Sequence, residues 1–345
     1  MKISLVIPVY NVELHIRKCL DSVIAQNCDG FTIECILVND CTPDGSMAIV
    51  NDVISTYQGT DITFVILHHA VNKGISAARN TGLLAATGDY FCFLDSDDCF
   101  MENTLRVLAL YAISHPEVDI IMGSSLCLGA NSTTNTAITH GSLEPVLLQD
   151  KYQMWEFLLR RQLDHHVWNK LVKRPNGDIH YLFFEDGIIY EDIPWMYNLL
   201  NQVSSIVVLP NLTYVYEFNP TSYMHTIEKR STNVIKSFAY ICNMLLDNPP
   251  KVDDKIVHYV AHRLFILYWM LIALDVKDKY GIDKQTSHIL DSVKRRLLLG
   301  SLKKGYLLLA LFMLTLFNPV RLLLRFRFFR VNVDRMNKVV YRFSW

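Results

Sequence analysis

Three carboxylates fall within four positions at the end of a short apolar run. Gly88 to Asp98 reads GDYFCFLDSDD, so that Asp95, Asp97 and Asp98 follow Tyr90 to Leu94 directly. Adjacent like charges repel and raise one another's pKa, and a divalent cation is the simplest screen for such a cluster. An oxygen-only donor set suits Mg2+ or Mn2+, ions that keep coordination positions open for substrate phosphates. A second acidic step, Glu191-Asp192, precedes an apolar helical stretch and offers a proton acceptor. Asp192 has a competing role as cap of the helix that enters Pro194 and Trp195. Glu185 and Asp186, just upstream, run into Gly187 and read as a turn.

Phosphates need a cradle, and the usual ones are missing. No G-x-G-x-x-G follows the first apolar run and no G-x-x-x-x-G-K-[ST] occurs, which sets aside dinucleotide and P-loop chemistry. Asn72, Lys73 and Gly74 instead precede a helical pattern that carries Arg79 and Asn80. A glycine lets backbone approach a ligand closely, and a helix N-terminus favours an anion.

The elements that must position these groups alternate along the first part of the chain. Ile3–Pro8, Ile33–Asn39, Ile62–His68, Tyr90–Asp95 and Ile120–Ser124 read as strands. Amphipathic helices lie between them, from about Leu14 to Ala25 and over Ser46–Tyr57, Ile75–Ala86 and Asn103–Ser114. This βαβ order predicts an α/β fold with a mostly parallel sheet covered on both faces, whose ligands sit beyond the carboxyl ends of the strands. Tyr10, Asn11, Asp40, His69 to Asn72 and Asp95 to Asp98 all fall there, which merges four loops into one site. Gly129 to His140 reads as a polar loop, Lys151–Arg161 and Ile193–Asn201 as helices, and Val203–Val208 and Leu212–Glu217 as strands. From Ser231 the pattern is helical. His165 and His166, adjacent in sequence, could not both point into one cleft if helical.

The chain has 345 residues and a net charge of −1, but the charge is lopsided: Lys294 to Arg342 holds twelve Lys or Arg against Asp334 alone. Its apolar run, Tyr306–Phe317, is short of the roughly 20 residues that span a bilayer as helix. Val320–Val331 interleaves Arg321, Arg325, Arg327 and Arg330 with Leu and Phe, the composition of a helix lying in a headgroup layer. Residues 301–345 are therefore expected to form a basic amphipathic tail at a membrane surface, with 226–300 a helical region before it. Eight cysteines without a C-x-x-C pair signal neither zinc ribbon nor disulfide scaffold, and the chain runs from Lys2 straight into a strand without an export signal. A reduced, cytoplasmic setting on the cytosolic membrane face is the expectation, with no nucleic-acid partner.

SLVIPVYN, CILVNDCTPDGS, NKGISAARNTG, GDYFCFLDSDD and YED, in this order over residues 1 to 218, resemble the family 2 glycosyltransferases with a GT-A fold, of the bacterial cell-surface polysaccharide type. The resemblance implies a donor-binding half at 1–125 and an acceptor-binding, catalytic half at 126–225. It implies metal-dependent, inverting transfer of one hexosyl-type sugar from a nucleotide-diphosphate-sugar, a UDP-sugar by expectation, to a hydroxyl of a lipid-linked or cell-surface glycan. By the same resemblance Pro8, Tyr10, Asp40, Asn72, Lys73, Arg79, Asp95 and Ser96 face the donor. Asp97 and Asp95, with His225, hold the metal; Asp192 is the base and Glu191 positions the acceptor. Trp168 and Lys170, in WNKLVKR, lie near the acceptor. Glu217 departs from the pattern, since relatives often carry Arg there, and the Q-x-x-R-W element of processive synthases is absent. A metal-dependent nucleotidyltransferase and a non-catalytic nucleotide-sugar-binding protein are the rival readings.

Overall fold

A computed structural model of the chain describes residues 1–128, 136–138, 142–159, 163, 165–217, 231–249, 256–281 and 283–303. They fall into two compact units, Met1–Trp155 with Gln162–His225, and Glu156–Arg161 with Thr226–Trp345.

The first unit opens with the expected alternation: β1 (Lys2–Val9), α1 (Ile16–Ile24), β2 (Thr32–Asn39), α2 (Ser46–Thr56), β3 (Ile62–His68), α3 (Ile75–Ala85) and β4 (Tyr90–Phe93). β1 is parallel to both β2 and β4, and every residue from Ile3 to Val9 is buried, as a strand covered on two faces requires. α3 lies close on β1 because Gly82 has no side chain: a Cβ there would come 2.3 Å from a Val6 methyl. The chain continues through β5 (Cys99–Phe100), α4 (Thr104–Ser114), β6 (Ile120–Leu128), β7 (Thr136–Ile138), β8 (Val146–Leu148), α5 (Lys151–Leu159) and β9 (Lys170–Lys173). A 3-10 turn at His180–Leu182, then α6 (Asp192–Gln202) and β10 (Ile206–Glu217), complete the unit. The ten strands form one mixed sheet in the order β3-β2-β1-β4-β9-β6-β10-β5, with β7 on β6 and β8 on β10.

Two expectations for this half need correction. The strands expected over Val203–Val208 and Leu212–Glu217 are one strand, β10, whose pairing with β6 shifts register on either side of Leu212. Pro210 lacks the N–H a regular ladder needs, so a bulge, not a turn, absorbs the interruption. Within the stretch read as a polar loop, Thr136–Ile138 is a strand antiparallel to Ser125–Cys127; residues 129–135 and 139–140 lie outside the described residues. The two-residue β5 and the short β8 and β9 carry too little periodicity to be read in advance.

At the end of the sheet away from the strand carboxyl termini, Glu34 collects four hydrogen bonds. Lys2 Nζ (2.8 Å), Ser4 Oγ (2.7 Å), the Thr87 amide (2.9 Å) and Thr87 Oγ1 (2.7 Å) all donate to it. Burial alone would raise the Glu34 pKa, but these donors outweigh it and hold the carboxyl at about 2. A depressed carboxylate contributes stability above its unfolded pKa and loses it as pH falls through the folded value. Glu34→Gln is therefore expected to cost on the order of 2 kcal/mol at pH 7, allowing for solvent around Lys2, and to differ little from the parent near pH 2. Urea midpoints of the two chains at both pH values check this; a gap that persists undiminished in acid would contradict it.

The second unit contains α7 (Ser231–Asp247), α8 (Ile256–Tyr280) and α9 (Lys284–Lys303), with α7 packed on both others. Val234, Ile235, Phe238, Ile241, Cys242 and Leu245 bury one face of α7, and Leu290, Val293 and Leu297 the facing stripe of α9. Asp283 caps α9 through the Thr286 amide (2.8 Å), and Arg296 of α9 pairs with Asp247 of α7. Among the described residues no helix is long and apolar enough to cross a membrane. Beyond Lys303 of α9, the basic tail expected over 301–345 lies outside the described residues. The eight cysteines form no disulfide.

Candidate active site

The carboxyl ends of β1, β2 and β4 and the loop after β3 supply the first half of the site. Asp40, just past β2, is buried, and its two carboxylate oxygens are spent on its own chain. Oδ1 accepts the Lys73 amide (2.8 Å) and contacts His69 Nδ1 (2.6 Å), while Oδ2 accepts the Gly74 amide (2.8 Å). Gly74 holds φ of 89°, a conformation that favours glycine, and this brings consecutive N–H groups onto one carboxylate. His69 Nε2 in turn contacts Thr81 Oγ1 at 2.9 Å. Asp40 thus organises the loop that presents Asn72 and Lys73, both exposed; Pro8 is buried and Tyr10 is 47% exposed.

The aspartate turn follows β4. Asp95 and Asp97 are half-buried, Ser96 is buried, and the Asp98 amide closes the turn onto the Asp95 carbonyl at 3.0 Å. The helix that follows, α4, begins only after Asn103. The Asp98 side chain points into the unit, where Tyr214 Oη (2.8 Å) and the Glu217 amide (2.9 Å) donate to it. The same Tyr214 oxygen accepts the Asp95 amide at 3.3 Å, so one hydroxyl braces both ends of the turn. Burial, then the charges of Asp95 and Asp97, push the Asp98 carboxyl well above its ordinary value. Glu217 pairs with Lys18. Its charge is answered within the chain.

Arg79 joins this turn to the second acidic motif. It is buried at 2% exposure, with Nη2 donating to Asp95 (2.7 Å) and Nη1 to Glu191 (2.5 Å). Phe184 and Phe93 flank the guanidinium at 5.4 and 6.0 Å. Burial opposes the charge, but the two carboxylates outweigh it and raise the Arg79 pKa above the ordinary arginine range. The expectation of a donor contact gives way here to a buried tie between two acids. The adjacent Asn80 fixes the geometry: its amide exchanges hydrogen bonds with Phe184 N (2.8 Å) and O (2.9 Å). Phe184 then stacks on Trp195 of α6 at 5.4 Å, and Trp195 Nε1 donates to Leu182 O. Neither fork is accidental.

Glu191 and Asp192 sit where α6 begins, after Tyr190 in a left-handed conformation (φ 65°). Asp192 Oδ1 accepts the Ile193 amide (3.0 Å), and His165 Nε2 lies 3.6 Å from Oδ2. Glu185 and Asp186 are exposed in the turn before Gly187, as expected.

The WNK segment corrects two acceptor assignments. Trp168 is 3% exposed and its faces are covered, by His166 (4.5 Å, 8°) and Tyr214 (4.2 Å, 10°), so no sugar can stack there. Lys170 is 1% exposed, and its ammonium donates to the carbonyls of His166 (2.5 Å) and Trp168 (3.4 Å). Both shape the segment from below. The condition set for the two histidines, a helical segment, is not met. Their segment is bent, not helical, the rings stack at 4.6 Å, and with Asp192 they gather into one cluster of possible metal ligands. Adjacent histidines before WNK were the only signal. His225 lies outside the described residues.

Asp95 and Asp97 offer oxygen donors alone, which fits a hard cation completing its shell with phosphate and water. No three-residue ligand set arises at this turn among the described residues.

Comparison with known proteins agrees with this architecture. A family model described as "Glycosyl transferase family 2" matches residues 4–173. The chain is 32% identical over 229 residues to a Bacillus subtilis protein named "Uncharacterized glycosyltransferase EpsJ", a match covering 64% of this chain and 62% of the relative's length. Its fold is similar to Staphylococcus aureus TarS 1-349, solved with UDP-GlcNAc, at a TM-score of 0.66 and 15% identity over 86% of this chain and 81% of that one. It is also similar to the mannosyltransferase PcManGT of Pyrobaculum calidifontis, solved with GDP-Man and Mn2+, at a TM-score of 0.50 and 15% identity over 90% and 83% of the two chains. At these identities the likeness shows a mixed α/β GT-A fold with a helical region after it.

Proposed function

The chain belongs to glycosyl transferase family 2, and we propose that it moves one sugar, with inversion, from a nucleotide-diphosphate-sugar to an acceptor hydroxyl. One observation carries this reading. Arg79 ties Asp95 of the aspartate turn to Glu191 of the YED step, so groups suited to a metal diphosphate and groups suited to an acceptor share one site. A single-displacement transfer needs that adjacency.

On this reading Asp97, with Asp95, holds Mg2+ or Mn2+, and the ion when bound neutralises the departing diphosphate. Asn72, Lys73 and Tyr10 stand on the exposed rim for the donor, and Asp40 sets the loop that carries the first two. Asp192 takes the acceptor's proton, while Glu191, held by Arg79, orients the acceptor sugar. A uridine donor is supported by the TarS complex and a manganese ion by the PcManGT complex, each a property of that protein. The acceptor we assign is a hydroxyl of a lipid-linked or cell-surface glycan at the cytosolic membrane face. The basic composition after Lys294 supports that placement.

The test is donor binding with and without metal. Calorimetry with UDP-sugars is expected to lose about a hundredfold in affinity or more when Mn2+ is chelated, and to lose the same in Asp97→Ala, because a bridging dication is worth several kcal/mol. Affinity indifferent to chelator would sink the assignment. In a transfer assay, release of nucleoside diphosphate supports it and release of pyrophosphate would point to nucleotidyl transfer.

A further inference from the structure

We propose that His165, His166 and Asp192 form a site for a zinc-class divalent cation, separate from the aspartate turn, and that an ion bound there blocks Asp192. The three residues come from two segments, the bend before β9 and the start of α6, and one ligand atom from each lies within 4.8 Å of the others. His165 Nε2 and Asp192 Oδ2 stand 3.6 Å apart. Two ligand atoms on one tetrahedral zinc, with bonds near 2.0–2.1 Å, lie about 3.3 Å apart, so this pair closes with a small rotation. His166 is oriented by its stack on Trp168, which Tyr214 backs in turn, so packing holds one imidazole in place before any ion arrives. The His165 side chain is 35% exposed and is the ligand that must swing.

Chemistry separates the two sites. Two imidazoles with one carboxylate suit zinc, cobalt or nickel, whereas the oxygen donors of Asp95 and Asp97 suit magnesium or manganese. Three protein ligands leave a fourth position for water. An ion here occupies the Asp192 carboxylate, the group that receives the acceptor's proton in the proposed transfer, while the donor site stays intact. The block therefore rests on that functional reading. The binding does not.

The experiment uses the full chain without affinity-tag histidines, titrated with Co2+ and followed by its visible ligand-field bands, with Zn2+ then displacing the cobalt. One equivalent is expected, with no strong near-ultraviolet thiolate band, which separates this site from the cysteines. His165→Ala and His166→Gln should each weaken binding about tenfold or more, and Asp97→Ala should leave it unchanged. Circular dichroism confirms that each variant is folded, and His165→Ala, at the partly exposed position, keeps the test valid if His166→Gln is not. Unchanged cobalt affinity in His165→Ala, or its loss in Asp97→Ala, overturns the site. In the transfer assay at saturating Mn2+, zinc should inhibit the parent chain and spare His165→Ala relative to its own zinc-free rate. Zinc bound through these histidines with transfer untouched would overturn the block.

Discussion

Asp192→Asn is expected to bind the nucleotide-sugar as tightly as the parent chain and to transfer it about a thousandfold more slowly, the middle of the range for removing a general base. The substitution keeps the size of the side chain and the oxygen that can accept the Ile193 amide at 3.0 Å, so the start of α6 is preserved. Only the proton acceptor is lost. The position suits the role: Asp192 keeps a side chain 15% exposed at the opening of a helix whose next five residues, Ile193 to Tyr197, are buried. A base must be reached by substrate, and Asp98, whose carboxyl is buried and pushed upward, could not serve. Single-turnover rates with saturating donor, beside donor affinity by calorimetry, check the claim. Full-rate transfer by Asp192→Asn would remove Asp192 from the chemistry.

Arg79→Met should cost more in stability than any other single change at the site. Removing one partner from a buried ion pair typically costs about 3–5 kcal/mol, because the remaining charge stays buried and unanswered. Here one guanidinium answers two carboxylates, whose side chains are 23% exposed at Asp95 and 13% at Glu191. Solvent reaches Asp95 and tempers its share, so the loss should sit at the lower end of that range. Arg79→Lys keeps the charge without the planar fork and is expected to recover part of the stability, as one ammonium cannot span both acids with the same geometry. A double-mutant cycle with Glu191→Gln is the check: denaturant midpoints should show the two losses to be strongly less than additive. Additive losses would mean that the tie contributes nothing.

The two expectations share a cause. Glu191 and Asp192 are neighbours in sequence, yet one is held by an arginine from α3 and the other stands beside a histidine from the bend before β9. Losing Arg79 should therefore disturb acceptor positioning and the aspartate turn together, whereas losing the Asp192 carboxylate should touch only the proton.

Much of the first unit was legible in advance because its signals are local. Strands buried on two faces read as near-continuous apolar runs, and Ile3 to Val9 is one, interrupted only by Ser4, whose hydroxyl Glu34 accepts; the helices between show their faces through spacing alone. Positions beyond strand ends follow from the α/β rule, which groups Tyr10, Asp40, Asn72 and the aspartate turn from the order of the elements alone. The short strands were not legible, since two or three residues hold no period. Nor was the bulge that lets β10 pass Pro210, because a proline reads as a stop unless the neighbouring strand is there to resume the pairing.

What the sequence by itself determined, then, is the order of the elements, the acids at their ends and the family they mark. Only the tertiary structure decided which group answers which. Arg79 is 16 positions from Asp95 and 112 from Glu191, and no periodicity links residues so far apart. Trp168 and Lys170 look like binding residues by type, but α/β packing placed Tyr214 against the ring and loop carbonyls around the ammonium. Composition states what a side chain can do. Its partners are chosen where the chain crosses itself, through burial that makes an unanswered charge or a lone polar atom too costly to leave.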